Sequence, residues 1–310
     1  MSSSDLGRLN RAVVLGSLNM DLIVRTDRLP APGETVLGGQ FHTAAGGKGA
    51  NQAVAAARLG AAVSMIGCIG SDDYGRQLLR LVRSSGVDVE HVHVVEQPTG
   101  VALIVVDGRG QNLIAVAQGA NGLVSREVVE SAGELIASAD IVVAQLEVPV
   151  EAITAAAELA RAAGVPLLLN AAPARADVAG LLSLVTILAV NETELAIVAG
   201  HDVTAGQEAA TAKELLARGP MAIIVTLGAR GCVLVDHHGS VAIPSYPVRV
   251  VDSTAAGDAF VGAIAARYSR SESLEAAARY ASAAGALACT RPGAQPSLPT
   301  AEEVARLIEG

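Results

Sequence analysis

The sequence contains no tryptophan, only two phenylalanines and only four tyrosines among its 310 residues. Apolar residues nevertheless make up 51% of the chain, and alanine and valine supply most of them. A core of this composition is large but is built from small side chains. The length is within reach of one large α/β domain. We therefore predict a single domain over 11–310, preceded by a flexible serine-rich tail over 1–10.

Cysteine is also scarce, with Cys68, Cys232 and Cys289 far apart and odd in number. This is not a disulfide framework, and Cys68 and Cys232 fall in apolar strand-like runs, so we predict buried free thiols in a reducing compartment. The N-terminus lacks the apolar stretch of a signal peptide, and no uncharged apolar run approaches the length of a membrane span. These absences predict a cytoplasmic protein with no membrane partner.

Positive charge is in short supply as well. Only 22 lysines and arginines stand against 31 acidic residues, which gives a net charge of −9. No basic patch could offset this balance, so nonspecific nucleic-acid binding is excluded from the expected functions. The six histidines show no metal-ligand spacing.

Short β-branched runs alternate along the chain with alanine-rich helical stretches. The strand-like runs are 12–16, 63–68, 141–145, 166–170, 185–190 and 222–227. The helical stretches are 49–59, 74–83, 150–163 and 208–218. Near-continuous apolar strands joined by helices are typical of a parallel sheet covered on both faces. The predicted fold class is α/β, with a doubly wound, mostly parallel sheet flanked by helices.

Two segments, about 20–43 and about 98–118, carry alternating apolar and polar residues with turn signals and no helical pattern. They are predicted to form antiparallel hairpins attached to the edge of the main sheet. Open α/β sheets bind ligands at the carboxyl ends of their strands. A small β-sheet lid subdomain made from these segments would cover such a ligand.

The glycine-rich stretch AAGGKGANQA, 44–53, is neither of the two common nucleotide loops. It departs from the phosphate-loop pattern at His42 and Gly49, and from the dinucleotide fingerprint at Gln52. Glycines ahead of a helix still let a ligand approach bare backbone, with Asn51 in the first helical turn. A tight turn without a ligand explains the glycines equally well.

Polar residues interrupt the apolar runs where two predicted strands end. Asn19 and Asp21 follow the first strand, and Glu147 follows the strand 141–145. Carboxylates and amides at strand ends suit a polyhydroxylated ligand, although turn capping accounts for each one taken alone. A third position, Asp258 in VDSTAAGDAF at 251–260, begins a predicted helix, where an acid also favours the positive end of the helix dipole.

Several stretches, taken in order from about Val13 to Ser297, resemble the ribokinase-like sugar and nucleoside kinases, and among them most closely the members that phosphorylate ribose. The stretches are VVLGSLNMD, PGETV, GGKGANQAVAAARLG, QPTGVAL, NETE, TLGARG, DSTAAGDAF and TRPGAQPS. The resemblance implies a doubly wound α/β core with a β-sheet lid. It also implies ATP-dependent phosphorylation of D-ribose at O5.

The same resemblance implies a catalytic group and a sugar site. Asp258 matches the catalytic base, and its preceding residues match the anion hole that stabilises the transferred phosphoryl group: Ala255, Ala256 and Gly257. The positions matching the sugar contacts are Asn19, Asp21, Gly46, Gly47, Lys48, Asn51 and Glu147.

Further matches imply a nucleotide site and two metal ions, Mg²⁺ and K⁺. The nucleotide residues are Asn191, Thr226, Leu227, Gly228, Ala229, Arg230, Gly231, Gly257 and Ser282. Glu194 matches an acid that organises Mg²⁺ through water. The K⁺ residues, several acting through backbone carbonyls, are Asp252, Thr254, Ala288, Arg291, Gly293 and Ser297. Asn191 as a helix N-cap and Gly228 as a turn residue are the simpler alternatives.

The sequence is also compatible with other substrates and with a function other than catalysis. Deoxyribose or another sugar could replace ribose, since one hydroxyl contact decides between them. A nucleoside substrate would need lid aromatics to stack on a base, and Phe41 is the only one. A sugar-binding regulator without catalysis is disfavoured by the intact Asp258. The resemblance also implies a homodimer formed through the lid.

Overall fold

A computed structural model describes residues 9–268 and 272–310. Residues 1–8 of the predicted tail lie outside this part of the chain. The last residue of the predicted tail, Asn10, is held in place by hydrogen bonds. Its Nδ2 group donates to the backbone oxygens of Ala265 and Tyr268 at 2.6 and 2.9 Å. The compact domain therefore begins at about this residue.

Fourteen strands and ten helices make up the described residues. The strands are β1 (Arg11–Leu15), β2 (Asn19–Arg25), β3 (Phe41–Gly46), β4 (Ala62–Gly70), β5 (Val87–Asp88), β6 (Val92–Val95), β7 (Gly100–Val106), β8 (Asn112–Ala117), β9 (Ile141–Gln145), β10 (Leu167–Asn170), β11 (Ile187–Asn191), β12 (Ala222–Thr226), β13 (Cys232–Asp236) and β14 (Gly239–Ile243). The helices are α1 (Lys48–Arg58), α2 (Asp73–Ser84), α3 (Arg126–Glu130), α4 (Gly133–Ser138), α5 (Val150–Ala163), α6 (Glu192–Ala199), α7 (Glu208–Leu216), α8 (Ala256–Arg267), α9 (Leu274–Ala288) and α10 (Ala301–Glu309).

The main sheet has ten strands in the order β14-β13-β12-β11-β10-β9-β1-β4-β5, with β6 pairing beside β4. Pairing is parallel from β12 to β5, and only β13 and β14 are antiparallel. Alternate side chains enter two cores, so that Val14 of β1 packs with α1 and α8 while Val13 packs with α5. The predicted α/β class with helices on both faces is confirmed.

The segments predicted as a lid form a sheet of their own, in the order β3-β2-β7-β8. Its two hairpins are antiparallel, and they join through a parallel pairing of β2 with β7. The prediction that these strands extend the edge of the main sheet is therefore wrong. The β2–β7 pairing joins residues about 80 positions apart, and no local pattern signals such a contact.

The strand order reverses at β1, because β4 and β5 lie on one side of it and β9 to β12 on the other. A crevice opens at such a switch point, outside the carboxyl ends of the parallel strands. β2, a strand of the small sheet, begins four residues after the end of β1, so the small sheet starts beside this crevice. The fold thus places the candidate ligand site between the ends of β1 and β9.

The three cysteines are free, and Cys68 and Cys232 are buried in β4 and β13. Burial raises the pKa of the Cys68 thiol to about 11 and that of the Cys232 thiol to about 12. Both thiols are therefore protonated at neutral pH. No helix in 9–268 or 272–310 has the length and apolarity to cross a bilayer.

Candidate active site

Three chain segments meet at Glu147, two residues beyond the end of β9. The Glu147 Oε2 atom accepts a hydrogen bond from the Ser17 hydroxyl and another, at 3.0 Å, from the backbone N–H of Lys48. Ser17 follows β1, and Lys48 begins α1. One carboxylate thus ties the end of β1 to the start of α1 across the switch point.

Glycines let these segments approach closely. Gly47 has a φ of +88°, and a Cβ there would lie 2.7 Å from the backbone nitrogen of Asn19. A Cβ on Gly46 would collide with the carboxylate of Asp21. Only glycine fits at both positions. The predicted sugar residues of β2, β3 and α1 are therefore brought together by backbone contact.

The carboxylate of Asp258 is held in the third position of α8 by two amides. Asn51 Nδ2 donates to its Oδ2, and Gln52 Nε2 donates to its Oδ1, both at 2.9 Å. Gln145 Nε2 donates in turn to Gln52 Oε1 at 2.6 Å, which fixes the orientation of the Gln52 amide. Gln52 and Gln145 are fully buried and Asp258 is 7% exposed. A chain of amides therefore sets the direction of the carboxylate.

Several charges interact across the crevice. Burial raises the pKa of Asp21 to about 7, with smaller contributions from the negative charges of Glu147 and Asp258. Burial also raises the pKa of Asp258, against the opposing effect of Lys48 and the two amide donors. Burial lowers the pKa of Lys48, but nearby carboxylates outweigh it, so that the net pKa is raised. Lys48 is therefore the positive charge within a group of acids.

The backbone before Asp258 has an unusual conformation. Ala255 caps α8 with a φ of +60°, the left-handed region that costs energy for a residue with a Cβ. α8 begins at Ala256, so its first N–H groups have no acceptor within the helix. A Cβ on Gly257 would meet no atom within 4 Å. The N–H of Ala256 donates to the backbone oxygen of Ser253 at 3.2 Å, whereas the N–H of Gly257 is left for an anion next to the carboxylate.

The predicted nucleotide residues lie at the neighbouring strand ends. Asn191 and Thr226 are register partners where β11 and β12 finish. Asn191 is also the N-cap of α6 in a reciprocal capping box with Glu194: the Asn191 Oδ1 atom accepts from Glu194 N–H, and Glu194 Oε2 accepts from Asn191 N–H, each at 2.8 Å. Its Nδ2 group is the part left for a ligand.

A turn follows β12, with Gly228 at φ +56° and Gly231 at φ +91°. It contains Leu227, Ala229 and Arg230. The Arg230 guanidinium pairs with Glu192 at 2.5 Å and Glu208 at 2.6 Å, so its charge is already engaged. Ser282 on α9 donates to the backbone oxygen of Pro244 at 2.9 Å. Both side chains thus already have a partner within the protein, although the Ser282 oxygen can still accept and the other guanidinium nitrogens of Arg230 have no partner in these ion pairs.

Two of the residues predicted for K⁺, Thr254 and Gly293, contact a third, Asp252. Asp252 Oδ1 accepts from the backbone N–H and hydroxyl of Thr254, at 2.9 and 2.6 Å, and Oδ2 accepts from Gly293 N–H at 2.8 Å. This carboxylate joins the loop before α8 to the segment after α9, where Arg291 and Ser297 lie; Ala288 ends α9. The Arg291 guanidinium forms a two-bond pair with Glu303. Backbone carbonyls of these loops remain the candidate ligands.

Four side chains at the site were not among the predicted residues: Ser17, Gln52, Asn121 and Gln145. Ser17 and Gln52 lie within quoted motifs and Gln145 ends the apolar run 141–145, so a polar residue in a buried run is the signal that the sequence offers for all three. Asn121, which bonds to Asn19, gave no local signal. Its partner is 102 residues away in the sequence.

The fold and the site together define a carbohydrate kinase. The model of the pfkB family carbohydrate kinases matches residues 9–301, and the chain belongs to this family. A ribokinase from Haemophilus influenzae is 40% identical over 298 residues, covering 96% of this chain and 97% of that protein. A deoxyribokinase from Salmonella typhi is 36% identical over 293 residues, covering 94% and 96%.

A solved structure shows the same fold. The ribokinase of Arabidopsis thaliana, complexed with ribose and ATP, has a TM-score of 0.90 and 32% identity, covering 98% of this chain and 100% of that one. The family membership predicted from the motifs is confirmed by these comparisons.

Proposed function

We propose that this protein is a ribokinase, which transfers the γ-phosphoryl group of ATP to O5 of D-ribose. The products are ribose 5-phosphate and ADP. One observation carries the proposal: the buried carboxylate of Asp258 stands beside the unpaired N–H of Gly257 in the first turn of α8, at a crevice lined by sugar-binding residue types. The similarity to ribokinases over nearly the whole chain supports ribose as the sugar.

Asp258 acts as the general base. Its carboxylate takes the proton from the O5 hydroxyl as oxygen forms its bond to the γ-phosphorus and ADP leaves. Asn51 and Gln52 keep both carboxylate oxygens oriented, because each amide donates to one of them. The N–H of Gly257, placed by the turn through Ala255 and Ala256, stabilises the charge on the transferred phosphoryl group.

Ribose is held by the residues around the switch point. Asp21 and Glu147 supply acceptors, Asn19 and Lys48 supply donors, and Gly46 and Gly47 allow the sugar to approach the backbone. The Oδ1 atom of Asn51 is buried without a hydrogen-bond partner in the described structure. A ribose hydroxyl would satisfy it, which fits the need of a buried polar atom for a partner.

ATP would lie across the ends of β11 and β12. Asn191, Thr226 and the turn 227–231 would contact it, with Ser282 near the base. Burial raises the pKa of the Glu194 carboxyl. A nearby divalent cation would act in the opposite direction, because it would stabilise the charged form of this carboxyl. In the part of the chain that the structure describes, no three His, Cys, Asp or Glu side chains are grouped as a metal site. Mg²⁺ would therefore take most of its ligands from phosphates and water, and when bound it would screen phosphate charge.

The loops joined by Asp252 fit a monovalent cation. Asp252, Thr254, Ala288, Arg291, Gly293 and Ser297 would hold K⁺, mostly through backbone oxygens. The ion's positive charge would favour the arrangement of the segment that leads into the anion-binding N–H groups.

A rate assay tests this function. Purified protein with ATP and Mg²⁺ should phosphorylate ribose, and added K⁺ should raise the rate. Deoxyribose is the second candidate substrate because the chain also resembles a deoxyribokinase. Fructose and adenosine complete the comparison. If deoxyribose is phosphorylated faster than ribose, deoxyribose is the substrate. If ribose binds but is not phosphorylated, the protein is a sugar-binding regulator instead.

Ribose binding should depend on pH near neutrality. The pKa of Asp21 in the free protein is about 7, so the carboxylate acceptor is lost as pH falls through that value. We expect the ribose Kd, measured by calorimetry, to increase steadily as the pH is lowered from 8 to 5.5. In the Asp21→Asn variant this dependence should largely disappear. A constant wild-type Kd across the range would contradict the assignment of Asp21.

The small sheet provides a surface for dimerisation, which we also propose. Every residue of β8 is exposed, including Leu113, Ile114 and Val116 at about half of their surface, and Phe41 of β3 is 63% exposed. An exposed apolar edge strand is unusual in a monomer. A second copy of the chain would cover it.

Substitution on β8 tests the dimer. Ile114→Lys should shift the sedimentation coefficient of the protein from dimer to monomer, because a charge would be buried in the interface. Met221→Lys is the matched control, since Met221 is 64% exposed and lies outside the small sheet. A monomeric wild type, or equal sedimentation of all three proteins, would overturn the proposed interface.

A further inference from the structure

Asn121 lies at the base of the small sheet, in the 3₁₀ turn Gly119–Leu123 that follows β8. It is 1% exposed, and its amide pairs with both backbone groups of Leu18. Leu18 N–H donates to Asn121 Oδ1 at 2.9 Å, and Asn121 Nδ2 donates to Leu18 O at 3.2 Å. Asn121 Nδ2 also donates to Asn19 Oδ1 at 2.7 Å. One buried amide thus holds the segment where β1 passes into β2.

These contacts allow only one orientation of the Asn121 amide. A backbone N–H can only donate and a backbone carbonyl can only accept, so Oδ1 must meet the Leu18 nitrogen and Nδ2 the Leu18 oxygen. Nδ2 is then also the atom beside Asn19, which must present its own Oδ1. The Asn19 Nδ2 group is consequently left for a ligand.

Gly100, at the start of β7, makes room for this contact. It is the register partner of Asn19 across the β2–β7 pairing. A Cβ at this position would collide with Asn121 Nδ2 and with Asn19 Oδ1. The hydrogen bond between Asn121 and Asn19 therefore lies where β2 and β7 begin, and it requires glycine at the first position of β7.

We propose that Asn121 is a positioning residue for the sugar, because it fixes Asn19 as a hydrogen-bond donor. This inference rests on the proposed function. Asn19 and Asp21 lie two residues apart on β2 and so share one face. A sugar hydroxyl can accept from Asn19 Nδ2 while it donates to Asp21. Without Asn121, the Asn19 amide can turn and place an acceptor beside the acceptor of Asp21, which leaves the hydroxyl without a donor.

The Asn121→Ser variant tests this role in the full-length protein. We expect the KM for ribose to rise about tenfold, the effect of losing one well-placed hydrogen bond at a buried site. The KM for ATP should stay within about twofold and kcat within about threefold. Gly100→Ala should give the same pattern, because its methyl group separates the two amides without altering either one.

Asn10→Ser is the matched control. The Asn10 amide also donates to two backbone oxygens, but these belong to Ala265 and Tyr268 at the end of α8 and not to the segment that leads into β2. It should lower the melting temperature without changing the KM for ribose. If Asn10→Ser also raised the KM for ribose, the effect of Asn121→Ser would be explained by reduced stability of the protein. That result would overturn the proposal.

A double-mutant cycle with Asn19→Ala separates action through Asn19 from a structural effect. In that background, Asn121→Ser should raise the ribose KM no further. A full tenfold rise there, or an unchanged ribose KM in both Asn121→Ser and Gly100→Ala, would overturn the positioning role. A wild type that phosphorylates no ribose would instead overturn the proposed function, so the two failures are distinguishable.

Discussion

Replacement of Asp258 by asparagine should lower kcat for ribose phosphorylation about 10²–10⁴-fold, because a carboxamide cannot take the proton of the O5 hydroxyl. The fold should tolerate the change. The new amide must present its NH₂ group to either Asn51 or Gln52, both of which now donate to the carboxylate. Gln145 fixes the Gln52 amide, so Asn51 is the side chain that would turn, and its unpaired Oδ1 can accept the new bond. Its Nδ2 group would then face the ribose hydroxyl, which can accept a hydrogen bond as well as donate one.

Steady-state kinetics and ribose calorimetry together check this expectation. Ribose binding by the Asp258→Asn variant should persist within a few-fold while turnover falls. Asp73→Asn is the control, since Asp73 is an exposed acid in the first turn of α2 and lies outside the site. Retained turnover in the Asp258 variant would remove this residue from the mechanism.

Replacement of Asp21 by asparagine should have two opposite effects, weaker ribose binding and a more stable protein. The loss of a charged acceptor should raise the ribose Kd about 10–100-fold at pH 8. The folded protein meanwhile binds the Asp21 proton more tightly than the unfolded chain, because the pKa is about 7 rather than 3.8. This group therefore lowers the free energy of unfolding as pH rises from about 4 to 7.

The gain in stability should be largest above pH 7, where Asp21 is charged in the wild type. We expect an increase of about 1–3 kcal/mol in the free energy of unfolding at pH 8 and little difference at pH 4, measured by urea denaturation. Asp27→Asn, at an exposed acid next to β2, is the control. A less stable Asp21→Asn protein at pH 8, or one with unchanged ribose affinity, would contradict the account of Asp21 as a buried charge kept for binding.

Local patterns predicted the main elements closely. The strand 141–145 and the helix 150–163 have the predicted bounds in the structure, and the other strands and helices for which bounds were predicted differ by one or two residues. These segments are signalled by periodicity and by glycine, as at Gly164, which ends α5 with a φ of +69°. The motifs also predicted that Asp258 and Asn51 belong to one site, and the structure places the two side chains in hydrogen-bond contact.

The contacts among these residues could not be predicted from the sequence. Asn51 and Asp258 are 207 residues apart, and Gln52, a polar residue in an alanine-rich helix, indicates by its position that it is buried but not which group it binds. The engagement of Arg230 with Glu192 and Glu208 was equally invisible. Such pairs depend on which strands become neighbours, and the hydrophobic pattern of a single strand does not encode its neighbours.

The sequence by itself determined the alternation of strands and helices, the burial of Cys68 and Cys232, and the residue types available for phosphoryl transfer. The tertiary structure decided that the small sheet stands apart from the main one, and that the amides of Asn51, Gln52 and Asn121 orient the groups they touch. Periodicity and turn residues act within a few positions of the chain, whereas a hydrogen bond between distant segments exists only once packing has brought them within about 3 Å.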